Sequence, residues 1–314
     1  MHTIGVDIGG TSVRAGVVTA DGTLLDTTRA PTPDGQLSLE TAIANVVDEL
    51  AVKHDVAAVG LAVAGFVTSD RRRVMFAPHL AWRGTDVAGR LGARLGLPVV
   101  LEHDTNAAAF AEHRFGVAHG DGVTVLITIG TGIGGALLIG GELFRGGHGV
   151  APEFGHLRLM PDGRVCPCGK RGCWERYCSG TALSTTAIQL LAGGGVGVPS
   201  TLAQYAVDDA RAITGSRVAE AARAGDPLAT AAMADLARWL GEGLALVADL
   251  YDPELVVIGG GVSRSASLFL DGAFEHYAAT LTGAGHRPLA KVRTAQLGEE
   301  AGIVGAALLA AEVC

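Results

Sequence analysis

GVDIGGTSVRAGVV at residues 5–18 and ITIGTGIGGALLIG at residues 127–140 are two versions of one phrase. Each is an apolar run, a glycine turn and a second apolar run. At an offset of 121, Val6-Asp7-Ile8-Gly9 faces Ile127-Thr128-Ile129-Gly130, and Val17 and Val18 face Leu138 and Ile139. Self-similarity at a fixed spacing marks a duplicated structural unit. Working outward from the first copy, residues 2–8, 13–19 and 23–28 read as a three-stranded meander, with Gly9-Gly10-Thr11 and Asp21-Gly22 at its turns. A helix at 37–53, a strand at 57–64, a hairpin near 67–76, a helix at 84–95, a strand at 98–103 and a helix at 104–116 follow. The second copy supplies strands at 122–129 and 134–140. A helical region from about 180 to 250, a buried strand Leu255 to Ile258, a strand near 291–295 and an apolar Ala-rich helix at 300–313 complete the chain. Strands alternating with helices predict an α/β fold with a partly parallel sheet. The duplication predicts two lobes around a cleft, with the last helix returning to the first lobe. The expected division is 1–118 plus 300–314 against 119–299.

Composition narrows the class. Hydrophobic residues make up 48% and aromatics only 5%, so the core is expected to be Ala, Val, Leu and Ile. The formal net charge of -8 argues against nucleic-acid or membrane-surface binding, and Arg71 to Arg73, the only basic run, is too short for an electrostatic footprint. No apolar stretch reaches membrane-spanning length, and the opening MHTIGVDIGG reads as a strand rather than a leader. The expectation is a cytoplasmic enzyme that binds neither nucleic acid nor membrane.

Three glycine turns follow apolar strands: Gly9-Gly10-Thr11 after Asp7, Gly130-Thr131-Gly132, and Gly259-Gly260-Gly261. Such turns let backbone N–H groups and Thr hydroxyls approach an anion closely. One such turn is usually only a hairpin; three in a duplicated frame predict a nucleotide site. Asp7 is placed to hold a Mg²⁺-bound water near phosphates.

HLRLMPDGRVCPCGKRGC at 156–173 puts His156, Cys166, Cys168 and Cys173 within eighteen residues, with Gly169 and Gly172 at tight returns and Glu153 and Glu175 on its flanks. Four N/S donors suit tetrahedral Zn²⁺. A disulfide or packed free thiols are the alternatives. In a cytosolic chain such clusters more often bind metal. Cys178 lies near enough in sequence to compete as a ligand.

Together these motifs resemble the ROK family of sugar kinases and sugar-responsive repressors, within the actin-like ATPase (RNase H-like) superfamily, and most nearly its bacterial glucokinases. The likeness is carried by GVDIGGTSVRAGVV (5–18), LPVVLEHDTNAAAFAEHRFG (97–116), ITIGTGIGGALLIGGELFRGG (127–147), APEFGHLRLMPDGRVCPCGKRGCWERYCSG (151–180) and LVVIGGGV (255–262). It implies a two-lobed fold of duplicated ββαβα-type units. It also implies Mg-ATP-dependent phosphorylation of the primary (6-)hydroxyl of a hexose, and commonly a homodimer or homotetramer. Asp104 matches the family's catalytic base, although a helix N-cap is the plainer role for an Asp opening the 104–116 helix. Gly65, His79, His103, Glu153, His156 and Glu175 match sugar-binding positions. His156, Cys166, Cys168 and Cys173 match ligands of a structural Zn²⁺. The chain departs from the pattern at three places: His103 and His79 stand where the glucokinases carry Asn, and Ser12 where Lys is frequent. The two histidines widen the expected acceptors to another hexose, an amino sugar or a C7-cyclitol, or to a weakly catalytic sugar-binding protein. Polyphosphate is a variant donor. A repressor is not expected, because only Met1 and His2 precede the first strand, where the repressors carry a helix-turn-helix.

Overall fold

The computed structural model describes every residue except Met1, Asp121, Gly195, Val196, Val198, Val207 and Asp208. The last five fall in the expected 180–250 helical region and lie outside the described residues. In chain order the elements are β1 (His2–Ile8), β2 (Ser12–Val18), β3 (Leu24–Pro31), α1 (Gln36–Ala51), β4 (Val56–Val63), β5 (Phe66–Val67), β6 (Val74–Phe76), β7 (Arg83–Thr85), α2 (Val87–Leu95), β8 (Val99–His103) and α3 (Asp104–Phe115). There follow β9 (Val123–Ile129), β10 (Ile133–Ile139), β11 (Glu142–Leu143), α4 (Gly180–Ala192), α5 (Gly215–Arg223), α6 (Pro227–Tyr251), β12 (Leu255–Gly259), α7 (Leu270–Thr280), β13 (Lys291–Thr294) and α8 (Ala301–Ala311). One five-stranded sheet runs β3-β2-β1-β4-β8, another β11-β10-β9-β12-β13, and β5-β6-β7 form a small third sheet. The 121-residue offset carries β1 onto β9 and β2 onto β10 residue for residue. β1 and β9 share one burial pattern, buried at positions two to five and at position seven.

The chain divides into two compact units: 1–125 with 136–152 and 295–314, and 126–135 with 153–294. In the first unit β1 pairs antiparallel with β2 and parallel with β4, and β4 parallel with β8. Central parallel strands are covered on both faces, so they read as near-continuous apolar runs. One face carries Ile43, Val47 and Leu50 of α1 and Leu91 of α2 among the core side chains. The other face carries α8, which packs on β1, β4 and α3. Glycine makes this approach possible: Gly5 and Gly60 are register partners, and a Cβ would stand 1.8 Å from the Ile303 carbonyl oxygen at the first and 1.9 Å from that of Ala306 at the second. An alanine at either position forces helix and sheet apart, at an overpacking cost of about 1–3 kcal/mol.

Two local expectations shift for physical reasons. The 84–95 helix begins later, at Val87, because the Asp86 carboxylate caps it by accepting the Gly89 N–H at 3.1 Å, and Arg83–Thr85 pair as β7 instead. Asp104 is not the N-cap of α3. His103 holds that position in an extended conformation without side-chain capping, and Asp104 is the first helical residue.

In the second unit α6 carries Asp226 as N-cap and Pro227 at its start. Trp174 is fully buried against α6, donating its indole N–H to the Trp239 carbonyl at 2.8 Å. No helix among the described residues is long and apolar enough to cross a membrane.

Candidate active site

In the first unit, β8 ends where α3 begins, which sets Asp104 at a helix N-terminus. Asp104 Oδ1 accepts from the Thr105 N–H at 2.7 Å and the Thr105 hydroxyl at 3.3 Å, and His103 Nε2 lies 3.4 Å away. Asp7, at the end of β1, is ion-paired with Arg14 of β2. Burial pushes the Asp7 carboxyl above its ordinary range; Arg14 pulls it down, and the neighbouring negative charge of Asp104 adds to the rise. Asp104 is thus close enough for its charge to act on Asp7.

The first glycine turn closes on itself: Gly9 N–H donates to the Ser12 carbonyl at 3.0 Å, and the Thr32 hydroxyl donates to the Gly9 carbonyl at 2.7 Å. Its donors toward an anion are thus those of Gly10 and Thr11. His79 is exposed and packs over this turn, 3.2 Å from where a Gly10 Cβ would stand. Gly65 admits the 76–77 backbone, since a Cβ there would meet the Phe76 carbonyl oxygen at 2.8 Å.

In the second unit, Gly130 N–H likewise folds back, onto the Gly132 carbonyl at 2.9 Å. Gly130 and Thr131 line a cavity of about 700 Å³ together with Gly261, Val262, Gly180, Thr181 and the 214–216 turn. Gly259 and Gly260 do not line it. Gly259 is the buried end of β12. Gly260 (φ 82°) presses on β9, where a Cβ would stand 2.6 Å from the Ile129 carbonyl oxygen. Their part in the third turn is packing rather than contact with the cavity.

Sequence reasoning missed the cavity's other wall. Ser179 and Thr214 cap α4 and α5, and both helix N-termini open on the same space. A hypothetical Gly215 Cβ would stand 2.6 Å from the Gly180 carbonyl oxygen, so the two N-termini touch. Paired helix N-termini suit an anionic ligand. The signal was present in Ser179-Gly180-Thr181 and its mirror, Thr214-Gly215-Ser216. Arg211, Arg223 and Arg264 add positive charge around the cavity.

The Cys/His segment forms one cluster. Ligand atoms of His156, Cys166, Cys168 and Cys173 all lie within 4.8 Å of one another. Cys168 and Cys173 sulfurs are 3.6 Å apart, and Cys166 Sγ is 3.8 Å from His156 Nδ1. A tetrahedron with Zn–S bonds of about 2.3 Å has edges of about 3.8 Å, so this donor set fits zinc. It does not fit a disulfide, and all five cysteines are free. Cys178 is buried and outside the cluster; burial pushes its thiol pKa well up. Gly169 (φ 91°) and Gly172 (φ 76°) make the returns that bring the sulfurs together.

The flanking carboxylates converge on His156. Nε2 is 3.9 Å from Glu153 Oε2, and Nδ1 is 3.7 Å from Glu175 Oε1, which also accepts from the Cys166 thiol at 3.1 Å. Glu175 Oε2 lies against the second glycine turn, 2.4 Å from where a Gly132 Cβ would be. The metal knot and the turn at 130–132 thus share one carboxylate. The structure brings Asp7, His103 and Asp104 together in the first unit. In the second it brings the Cys/His cluster, Glu153, Glu175 and Gly132 together.

Comparison with known proteins gives the family. The ROK family model matches residues 3–313. The glucokinase of Streptomyces coelicolor is 45% identical over 320 residues, covering 99% of this chain and 98% of that protein. A ROK family glucokinase from Streptomyces griseus, solved in complex with glucose and AMPPNP, is 45% identical with a TM-score of 0.88, covering 99% of this chain and 100% of that one. The ROK hexokinase of Thermus thermophilus is 34% identical with a TM-score of 0.82, covering 100% and 99%. The chain belongs to the ROK family.

Proposed function

We propose that the protein is an ATP-dependent kinase that phosphorylates the primary (6-)hydroxyl of a hexose, glucose foremost. The reading rests above all on Asp104, a carboxylate at a helix N-terminus whose Oδ1 is already engaged by its neighbours. Oδ2 is then the oxygen assigned to the acceptor hydroxyl. The near full-length likeness to glucokinases supports it.

A sugar hydroxyl is a poor nucleophile. As it attacks the γ-phosphorus, its proton passes to Asp104, the bridging P–O bond breaks and ADP leaves. General-base assistance of this kind contributes roughly 10²–10⁴ in rate. Positioning and charge neutralisation supply the rest. Asp7 holds a water of the substrate's Mg²⁺. Within the second unit the Thr131-Gly132 turn takes phosphate oxygens and the nucleoside occupies the 700 Å³ cavity; within the first, Gly10 and Thr11 offer the donors of their own turn. Glu153, Glu175 and His156 Nε2 read sugar hydroxyls. His156, Cys166, Cys168 and Cys173 would hold a Zn²⁺ that lends rigidity to that segment, and Nδ1 is the ring nitrogen facing the sulfurs.

His103, 3.4 Å from the base, favours a second reading of the acceptor alone: a related hexose, amino sugar or cyclitol with a primary hydroxyl. ADP release with Mg-ATP across hexoses, amino sugars and cyclitols tests both, with ³¹P NMR locating the new ester. Turnover with glucose giving the 6-phosphate is expected. ADP release no faster with any acceptor than without one would sink the kinase reading.

A further inference from the structure

Glu102 immediately precedes His103 and Asp104, and is only 3% exposed. Its Oε2 accepts from Arg145 Nε at 2.9 Å and Nη2 at 2.7 Å, and Arg71 Nε stands 3.5 Å away. Its Oε1 accepts from the Asn106 side-chain amide at 2.9 Å and from the His103 N–H at 3.1 Å. These last two donors bracket Asp104 in the chain. The buried carboxylate thus holds the backbone one residue before the base and a side chain of the first helical turn two residues after it.

The partners come from remote segments. Arg71 lies in the β5–β6 loop and holds φ at 58°, a conformation that non-glycine residues adopt at a cost. It is latched to β8 by a pair of bonds: Leu101 N–H donates to the Arg71 carbonyl at 3.0 Å, and Arg71 Nε donates to the Leu101 carbonyl at 3.2 Å. Burial lowers the Arg71 pKa from its usual value while Glu102 opposes that fall, but the guanidinium stays charged. Arg145 follows β11. One carboxylate therefore joins the β5–β6 loop, the post-β11 segment and the β8–α3 turn. A buried ion pair is a poor source of net stability, since desolvation offsets its attraction. Such a group has its greatest effect on geometry, and here the geometry is that of the base.

We propose that Glu102, clamped by Arg145 and Arg71, is a positioning residue for phosphoryl transfer: it fixes the Asp104 carboxylate without touching substrate. This rests on the kinase reading of Asp104. The test compares wild type with Glu102→Gln, Arg145→Lys and the pair Glu102→Gln/Arg145→Met, which removes both charges of the Glu102–Arg145 ion pair and leaves Arg71. It uses kcat by ADP release, sugar Kd by calorimetry and thermal stability. Misplacement of a catalytic group costs up to about 10²-fold, so kcat is expected to fall at least about tenfold in each variant, with sugar Kd within about threefold of wild type. The double variant is expected to regain stability over Glu102→Gln but not turnover. Two results would overturn the inference: a folded Glu102→Gln or Arg145→Lys with wild-type kcat, or turnover that returns with stability in the double variant. If the single variants fail to fold, the double variant decides. A wild type without turnover overturns the kinase reading instead.

Discussion

The His103 ring places Nε2 3.4 Å from Asp104 Oδ1, and the same residue is the N-cap of the helix that Asp104 begins. An imidazole there is bulkier than Asn and offers one donor and one acceptor in its neutral form. Its contact is to the oxygen already held by Thr105, so it shapes the acceptor site more than the proton transfer. His103→Asn is expected to keep kcat within about tenfold of wild type while shifting relative kcat/KM among hexose epimers. Unchanged selectivity across the sugar panel would show that the ring does not read the acceptor.

Arg14 and Asp7 give a pH prediction. Burial raises the Asp7 pKa and Arg14 restrains it. Only the ionised carboxylate can hold a Mg²⁺-bound water. Removing Arg14 raises the Asp7 pKa further, so less of the carboxylate is ionised at a given acidic pH. The KM for Mg-ATP in Arg14→Met should exceed that of wild type by a factor that grows as pH falls and shrinks as pH rises. A ratio independent of pH between 5 and 8 would show that Asp7 does not titrate against nucleotide binding.

The Cys/His cluster should carry metal as purified. Mass spectrometry under native conditions is expected to find one zinc per chain. Stripping it should lower Tm by at least about 3 °C and raise the sugar KM, because Glu153 and Glu175 are held through His156. Gly132 lies against Glu175, so Gly132→Ala should disturb sugar binding although it sits in the other glycine turn. Metal-free protein with wild-type Tm and KM would contradict the assignment.

Much of the frame was legible because its signals are local or periodic. The 121-residue offset located β9 and β10 to within one residue at each end. The four zinc-type donors lie within eighteen residues, so spacing alone exposed them. The Glu102 clamp was not legible. Arg145 and Arg71 are 43 and 31 residues away, and nothing in their own neighbourhoods announces a buried partner. The wall formed by α4 and α5 was hidden for the same reason, although each N-cap was locally visible. Helix α7 went unread, having only Ala273 and Tyr277 buried and so a weak apolar stripe. Gly260 turns at positive φ where it presses on β9, a packing demand that a glycine run cannot distinguish from ligand contact.

The most direct measurement concerns Asp104. Glucose binding by calorimetry and ADP release with Mg-ATP should be compared in wild type and Asp104→Asn. The amide keeps the shape and loses the base, so kcat is expected to fall at least about 10²-fold while glucose Kd stays within a few-fold of wild type. Turnover by Asp104→Asn near the wild-type rate would contradict the assignment of the base and, with it, the mechanism.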